Sequence, residues 1–402
     1  MNKPKIRFKG FEGEWKEKAL GDVVDEFKYG INAAAVSYDG ENKYLRITDI
    51  DEGSRAFIKD ELASPDADLS SCNEYIMQDG DIVIARTGAS VGKSYIYHPI
   101  DGKVYFAGFL IRARVNKNVD REFVFQNTLT DGFKKYIRFV SQRSGQPGVN
   151  AEELKSYLMN LPASLPEQRA IASYFTSLDA QIAASTSRLS SLKQIKAASL
   201  LNMFPQKGET VPRVRFKGFQ GEWKERKLGE VFSERVENNI NGQLLSVTLN
   251  KGIIRASENG KLDNSNSDKS KYKVVNINDI AYNSMRMWQG ASGCSKYEGI
   301  VSPAYTVITP KEDIDSSFFS YLFKTDIAIN KFRLHSQGLT SDNWNLKYPA
   351  FSKIDVYCPL DISEQQAIAS YFTALDAQIT LHRERLEKLK QIKAACLEKM
   401  FA

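Results

Sequence analysis

EQRAIASYFTSLDAQIA, beginning at Glu167, returns as EQQAIASYFTALDAQIT at Glu364, with 14 of 17 positions identical. LKQIKAA follows at Leu192 and again at Leu389, and the two copies close with Met203-Phe204 and Met400-Phe401. Within each copy the seam residues recur every seventh position. One row holds Phe175, Ile182, Leu189, Lys196 and Met203 and the other Ile171, Leu178, Ser185, Leu192 and Ser199; the second copy matches them with Phe372, Ile379, Leu386, Lys393 and Met400, and Ile368, Leu375, His382, Leu389 and Cys396. Spacing of that kind, held over about four heptads, predicts two helices packed along a supercoiled seam, with Ser185 and His382 as polar interruptions that fix register. Helices over 167–204 and 364–401 would each span roughly 57 Å at 1.5 Å per residue. Such a helix overruns an ordinary domain core and reads as a spacer.

The repeat extends upstream. PKIRFKGFEGEWKEKALGDVV from Pro4 matches PRVRFKGFQGEWKERKLGEVF from Pro212 at 14 of 21 positions. Between the conserved blocks the sequences have diverged and the second copy is 11 residues shorter. Element order survives nonetheless. A strand in GDIVIA at Gly80 faces one in NDIAY at Asn278, and an alternating strand over 109–115 faces one over 304–309. An amphipathic helix near Phe123 faces one near Phe318, followed by the loops SGQPGVN at Ser144 and SQGLTSDNWN at Ser336. The chain therefore divides into a variable domain over 1–158, a helical spacer over 159–207, a second variable domain over 208–355 and a helical spacer over 356–402. The fold class is α+β: two tandem domains of twisted sheet plus helices, joined by two long antiparallel helices as a pseudo-twofold repeat. Symmetry also predicts that Phe401 approaches Pro4 as closely as Phe204 approaches Pro212, within about 25 Å for the seven-residue link over 205–211.

Composition sets outer bounds. With 402 residues, 42% hydrophobic and 26% charged, the chain sits in the globular range. No apolar run approaches a membrane span and the start lacks a secretory core, so a cytoplasmic protein is expected. Cys72, Cys294, Cys358 and Cys396 are dispersed, and His98, His335 and His382 have no neighbouring ligands, which argues against a metal centre. Net charge is +6, unevenly spread: residues 49–81 hold Arg55 and Lys59 against ten acids, while 103–143 hold nine bases against Asp120, Glu122 and Asp131. That swing predicts a domain with two electrical faces, one suited to a polyanion.

Two motifs suggest catalysis and fail on spacing. RTGASVGKS, 86–94, has three residues between glycine and Gly-Lys where a nucleotide-binding loop needs four. A cationic, glycine-containing loop after a strand instead lets backbone approach a nucleic-acid phosphate. FKGFEGEW and FKGFQGEW lack the strand-then-helix context of a dinucleotide fingerprint and read as turns with a packing tryptophan, Trp15 and Trp223.

Taken together, the duplicated RFxGFxGEWxExxLG starts, GDIVIARTGASVG and the paired EQxAIASYFTxLDAQI…LKQIKAA helices resemble the specificity subunit of type I restriction-modification systems over the whole chain. The resemblance implies two target recognition domains, each reading half of a bipartite asymmetric site in double-stranded DNA, held apart by helices that bind two methyltransferase (modification) subunits. Restriction subunits complete the assembly, no membrane is involved, and S-adenosylmethionine, ATP and magnesium belong to the partners. This chain itself would hold no cofactor, metal or catalytic residue. A pseudo-dyad carrying two different inserts suits asymmetric duplex recognition. Directional donors and acceptors make Arg86, Thr87, Ser90, Arg143, Gln146 and Asn150 the candidates for base reading in the first domain, and Asn283, Ser284, Arg286, Gln289, Gln337 and Asn343 in the second. Lys93, Lys134, Lys135 and Arg138 suit phosphates. The competing readings are a two-headed protein scaffold without DNA specificity and a self-sufficient nuclease.

Overall fold

The structure, a computed structural model, describes residues 3–143, 145–249, 251–259, 268–340 and 343–401. Ser144 and 341–342, within the two expected loops, lie outside them. Packing groups the chain into two units, Met1–Ser187 with Arg383–Ala402, and Arg188–His382. The four segments expected from the sequence divide the chain along its length; packing divides it differently because each core closes over the ends of both long helices.

In the first unit, strand Lys16–Ala19 pairs antiparallel with Leu158–Leu161. Val24–Tyr29, Leu110–Val115, Ile82–Ala85 and Ser94–Ile96 form, in that order, a four-stranded antiparallel sheet. Its side chains alternate as a pleated strand requires. Ile82, Ile84, Ile111 and Ala113 join Phe123, Phe133 and Phe175 in one core, while Val83, Ala85 and Leu110 join Tyr95 and Phe106 in another. The single helix expected near Phe123 is two, Arg121–Asn127 and Asp131–Val140. Thr130 makes the break: its hydroxyl accepts the Phe133 N–H at 3.2 Å and starts the second helix as its N-cap.

The second unit repeats this order despite its shorter insert. Lys224–Lys227 pairs with Asp355–Cys358, and the sheet runs Phe232–Glu234, Tyr305–Pro310, Ile280–Asn283, Ser292–Cys294. Helices Ser316–Leu322 and Asp326–His335 follow, the second capped by Thr325.

The duplicated start motif has a structural purpose in each unit. Arg7 donates from Nε and Nη2 to the two carboxylate oxygens of Glu167 at 2.7 and 2.8 Å, and to the Gly13 and Glu12 carbonyls, while Trp15 Nε1 donates to Glu167 at 3.3 Å. Arg215, Glu364 and Trp223 repeat every one of these side-chain contacts. The tryptophan turn inferred from sequence is thus a clasp on the start of a long helix.

Those helices are Leu165–Asn202 and Ile362–Met400, beginning two residues before the repeated Glu-Gln. Within the first unit Phe175 lies 5.7 Å from Phe401 and Asp179 pairs with Lys393 at 2.6 Å; within the second, Phe204 lies 6.0 Å from Phe372 and Lys196 pairs with Asp376 at 2.5 Å. Rising numbers on one helix meet falling numbers on the other, so the pair is antiparallel. Of the expected seam, Phe175, Leu178, Leu189, Leu192, Phe372, Leu375, Ile379, Leu386 and Leu389 are buried, and Ile182 is half-buried.

Chain ends obey the same repeat. Ile6 N–H donates to the Lys399 carbonyl at 2.9 Å, as Val214 N–H does to Asn202 at 2.9 Å. Only the second pair is linked by local chain. Joining residue 401 to residue 4 through a copy of PQKGETV, and opening the chain between Lys207 and Gly208, is therefore expected to give a permutant that melts within a few degrees of the parent. A collapse of the thermal midpoint would refute the equivalence.

Candidate nucleic-acid interface

Each four-stranded sheet ends in a turn between its last two strands, and a second loop, entering from the capped helix pair, closes on it. In the first unit Val149 N–H donates to the Arg86 carbonyl at 2.8 Å and Gly88 N–H to Pro147 at 2.9 Å, with Thr87 bridged to Gly148. In the second, Leu346 N–H donates to the Ser284 carbonyl at 2.8 Å, and Trp288 packs edge-on against Trp344 at 5.2 Å. The expected loops therefore meet, the 86–93 turn with 147–149 and the 283–290 turn with 344–346. Gly88, where the two loops meet, has φ +70°, a backbone conformation that glycine adopts without strain.

Placement within the first unit sorts the candidates. Arg86 lies with its guanidinium 4.7 Å from the centre of the Tyr29 ring, and its Nε has no hydrogen-bond partner among the described residues. Thr87 and Ser90 are half-exposed and Gln146 is exposed. Lys135 and Arg138 are exposed on helix Asp131–Val140 and make no ion pair among the described residues, whereas Lys134 pairs with Asp131 at 3.1 Å. Three others are engaged within the fold. Asn150 caps helix Ala151–Lys155 by accepting the Glu153 N–H, Arg143 pairs with Glu153 at 2.5 Å, and Lys93 reaches Glu52 at 3.0 Å and the Ile50 carbonyl.

In the second unit Arg286 is exposed and donates to Gln289 at 3.3 Å, and Gln337 and Asn343 are exposed. Asn283 is spent on an Asx turn, accepting the Met285 N–H. Ser284 departs from the expectation of an exposed donor: it is buried and its hydroxyl meets that of Thr306 at 2.8 Å, so it holds the base of the loop.

Two features had no signal in the sequence. Lys324 occupies the position of Leu129 in the first unit, half-buried, with its ammonium on the Gly290 and Ser292 carbonyls. Burial pushes it down to about 8, with repulsion from Lys196 adding and Asp376 opposing. It anchors the turn that Arg286 and Gln289 occupy. The expected acidic and basic faces also partly cancel: Asp81 pairs with Arg114 at 2.8 Å and Asp79 with Arg121. Segments opposite in charge along the chain are folded against each other, and among the described residues of the basic segment Lys117, Lys135 and Arg138 make no ion pair. Among the described residues no cluster of three or more potential ligands is placed to hold a metal ion.

A repeated α+β unit that presents closed pairs of donor- and acceptor-rich loops offers the directional groups that reading base edges requires. The model of the type I restriction modification DNA specificity domain matches residues 12–194 and again 220–391. The chain belongs to that family, with two copies of its domain, and its function is DNA sequence recognition within a type I system. The fold is similar to that of the type I restriction-modification S subunit of M. genitalium, at 14% identity, TM-score 0.66, and coverage of 100% of this chain and 99% of that one. The HsdS subunit of Thermoanaerobacter tengcongensis is similar at 15% identity, TM-score 0.43, and 96% of each chain. No helix among the described residues is long and apolar enough to cross a membrane.

Proposed function

We propose that each domain reads one half of a split, asymmetric sequence in double-stranded DNA, and that the chain contributes recognition while two methyltransferase subunits docked on the near-identical helices carry out modification. Restriction subunits supply cleavage, and S-adenosylmethionine, ATP and magnesium serve those partners. One observation carries this reading: equivalent hydrogen bonds close the two loop pairs, Val149 on Arg86 and Leu346 on Ser284, around different side chains. Arg86, Thr87 and Gln146 offer one pattern of donors and acceptors, and Arg286, Gln289 and Asn343 another.

Exchanging residues 25–157 for the corresponding insert of another family member is expected to change one half of the methylated sequence and leave the other intact, read by sequencing modified adenines. A change in both halves would refute independent reading. Duplex binding is expected to weaken steeply with salt as counterions are released, which a protein scaffold would not show.

A further inference from the structure

A cavity of about 470 Å³ lies between the 88–93 turn and helix Asp131–Val140, lined by Arg55, Lys93, Lys134 and Arg138 with Ser90 and a single carboxylate, Glu52. Its charges are unevenly placed. The Lys93 and Arg55 side chains are 11% and 18% exposed, whereas the Glu52 carboxylate they share, at 3.0 and 3.3 Å, is 76% exposed. Arg55 also keeps Nη1 buried without a hydrogen-bond partner among the described residues, and it sits at φ +60°, a conformation that disfavours side chains. Two largely buried cations therefore share one exposed carboxylate beside an open cavity with two further cations on its wall. Among the described residues of the second unit, Ala291 and Ile329 stand where Lys93 and Lys134 stand, and only Arg138 is matched, by Arg333.

The geometry points to a phosphate-binding subsite of the first domain in which Glu52 is a resident counter-ion that an incoming phosphate displaces. The assignment rests on the DNA-reading function, and the occupant it commits to is a phosphodiester of the duplex beside the bases read by the 86–90 turn. Displacement exchanges one ion pair for another and frees Glu52 to water, so the carboxylate opposes binding while shielding Arg55 and Lys93 in the free protein.

The test is a titration of the full chain, and of its Glu52→Gln and Arg55→Gln variants, with a fluorescent random-sequence duplex across a salt series. Glu52→Gln is expected to tighten binding between about two- and fivefold at low salt and to steepen the dependence of log K on log salt by about 0.9, one phosphate's worth. Arg55→Gln is expected to weaken it and flatten that slope. Unchanged or weaker binding by Glu52→Gln, with its thermal midpoint preserved, overturns the subsite. Failure of the parent chain to bind duplex at any salt overturns the DNA-reading function instead. Millimolar ATP separates the sources: no binding by calorimetry is expected, and saturable ATP binding that Arg55→Gln abolishes would assign the cavity to a free nucleotide and overturn the phosphodiester.

Discussion

Replacing Glu167 by alanine is expected to cost the first unit about 3–5 kcal/mol, the loss typical when one partner of a buried ion pair is removed. Its carboxylate is 2% exposed and accepts two parallel hydrogen bonds from Arg7 besides that of the Trp15 indole. Without it the guanidinium and the indole N–H face each other unpaired, and the turn that Arg7 ties through the Gly13 and Glu12 carbonyls loses its anchor. Glu364→Ala should damage the second unit equally, since Arg215 and Trp223 make the same contacts. Urea unfolding of the full chain measures both. A loss under about 1 kcal/mol in either variant would show that the clasp is surface decoration.

What could be read from the sequence follows from how each feature is encoded. Helices and clasp are encoded locally and twice: heptad spacing reports a packed seam wherever it occurs, and the repetition of Arg7, Trp15 and Glu167 as Arg215, Trp223 and Glu364 marked them as frame. Interface loops were locatable because glycine and polar clusters punctuate strand ends. Roles inside those loops depend on partners far along the chain. Asn150 reads as an exposed amide until Glu153 is seen to make it a cap, and Ser284 until Thr306 is seen against it. Lys324 is invisible by type alone, since a lysine held by backbone carbonyls becomes recognisable only when those partners, at 290 and 292, are in place. The charge swing misled for the same reason: composition along a chain does not say that Asp81 will lie against Arg114.

Phe401→Ala is expected to destabilise the unit at the other end of the sequence, by about 3–5 kcal/mol. Phe401 is 8% exposed, with its ring 5.0 Å from Phe123 and 5.7 Å from Phe175, and Phe123 in turn meets Trp15 at 5.9 Å. Truncating it opens a cavity among residues that belong to the first variable domain and its helix. Phe204 makes the corresponding contacts in the second unit, with Phe318 at 5.5 Å and Phe372 at 6.0 Å. The repeat thus places the end of each helix in the core that the other helix begins. Limited proteolysis with mass spectrometry reads the outcome: Phe401→Ala should expose cleavage sites within residues 16–161 while 224–358 stay protected, and Phe204→Ala should do the reverse. If Phe401→Ala instead loosened the second variable domain, to which it is closer in sequence, the antiparallel assignment of the helices would be wrong.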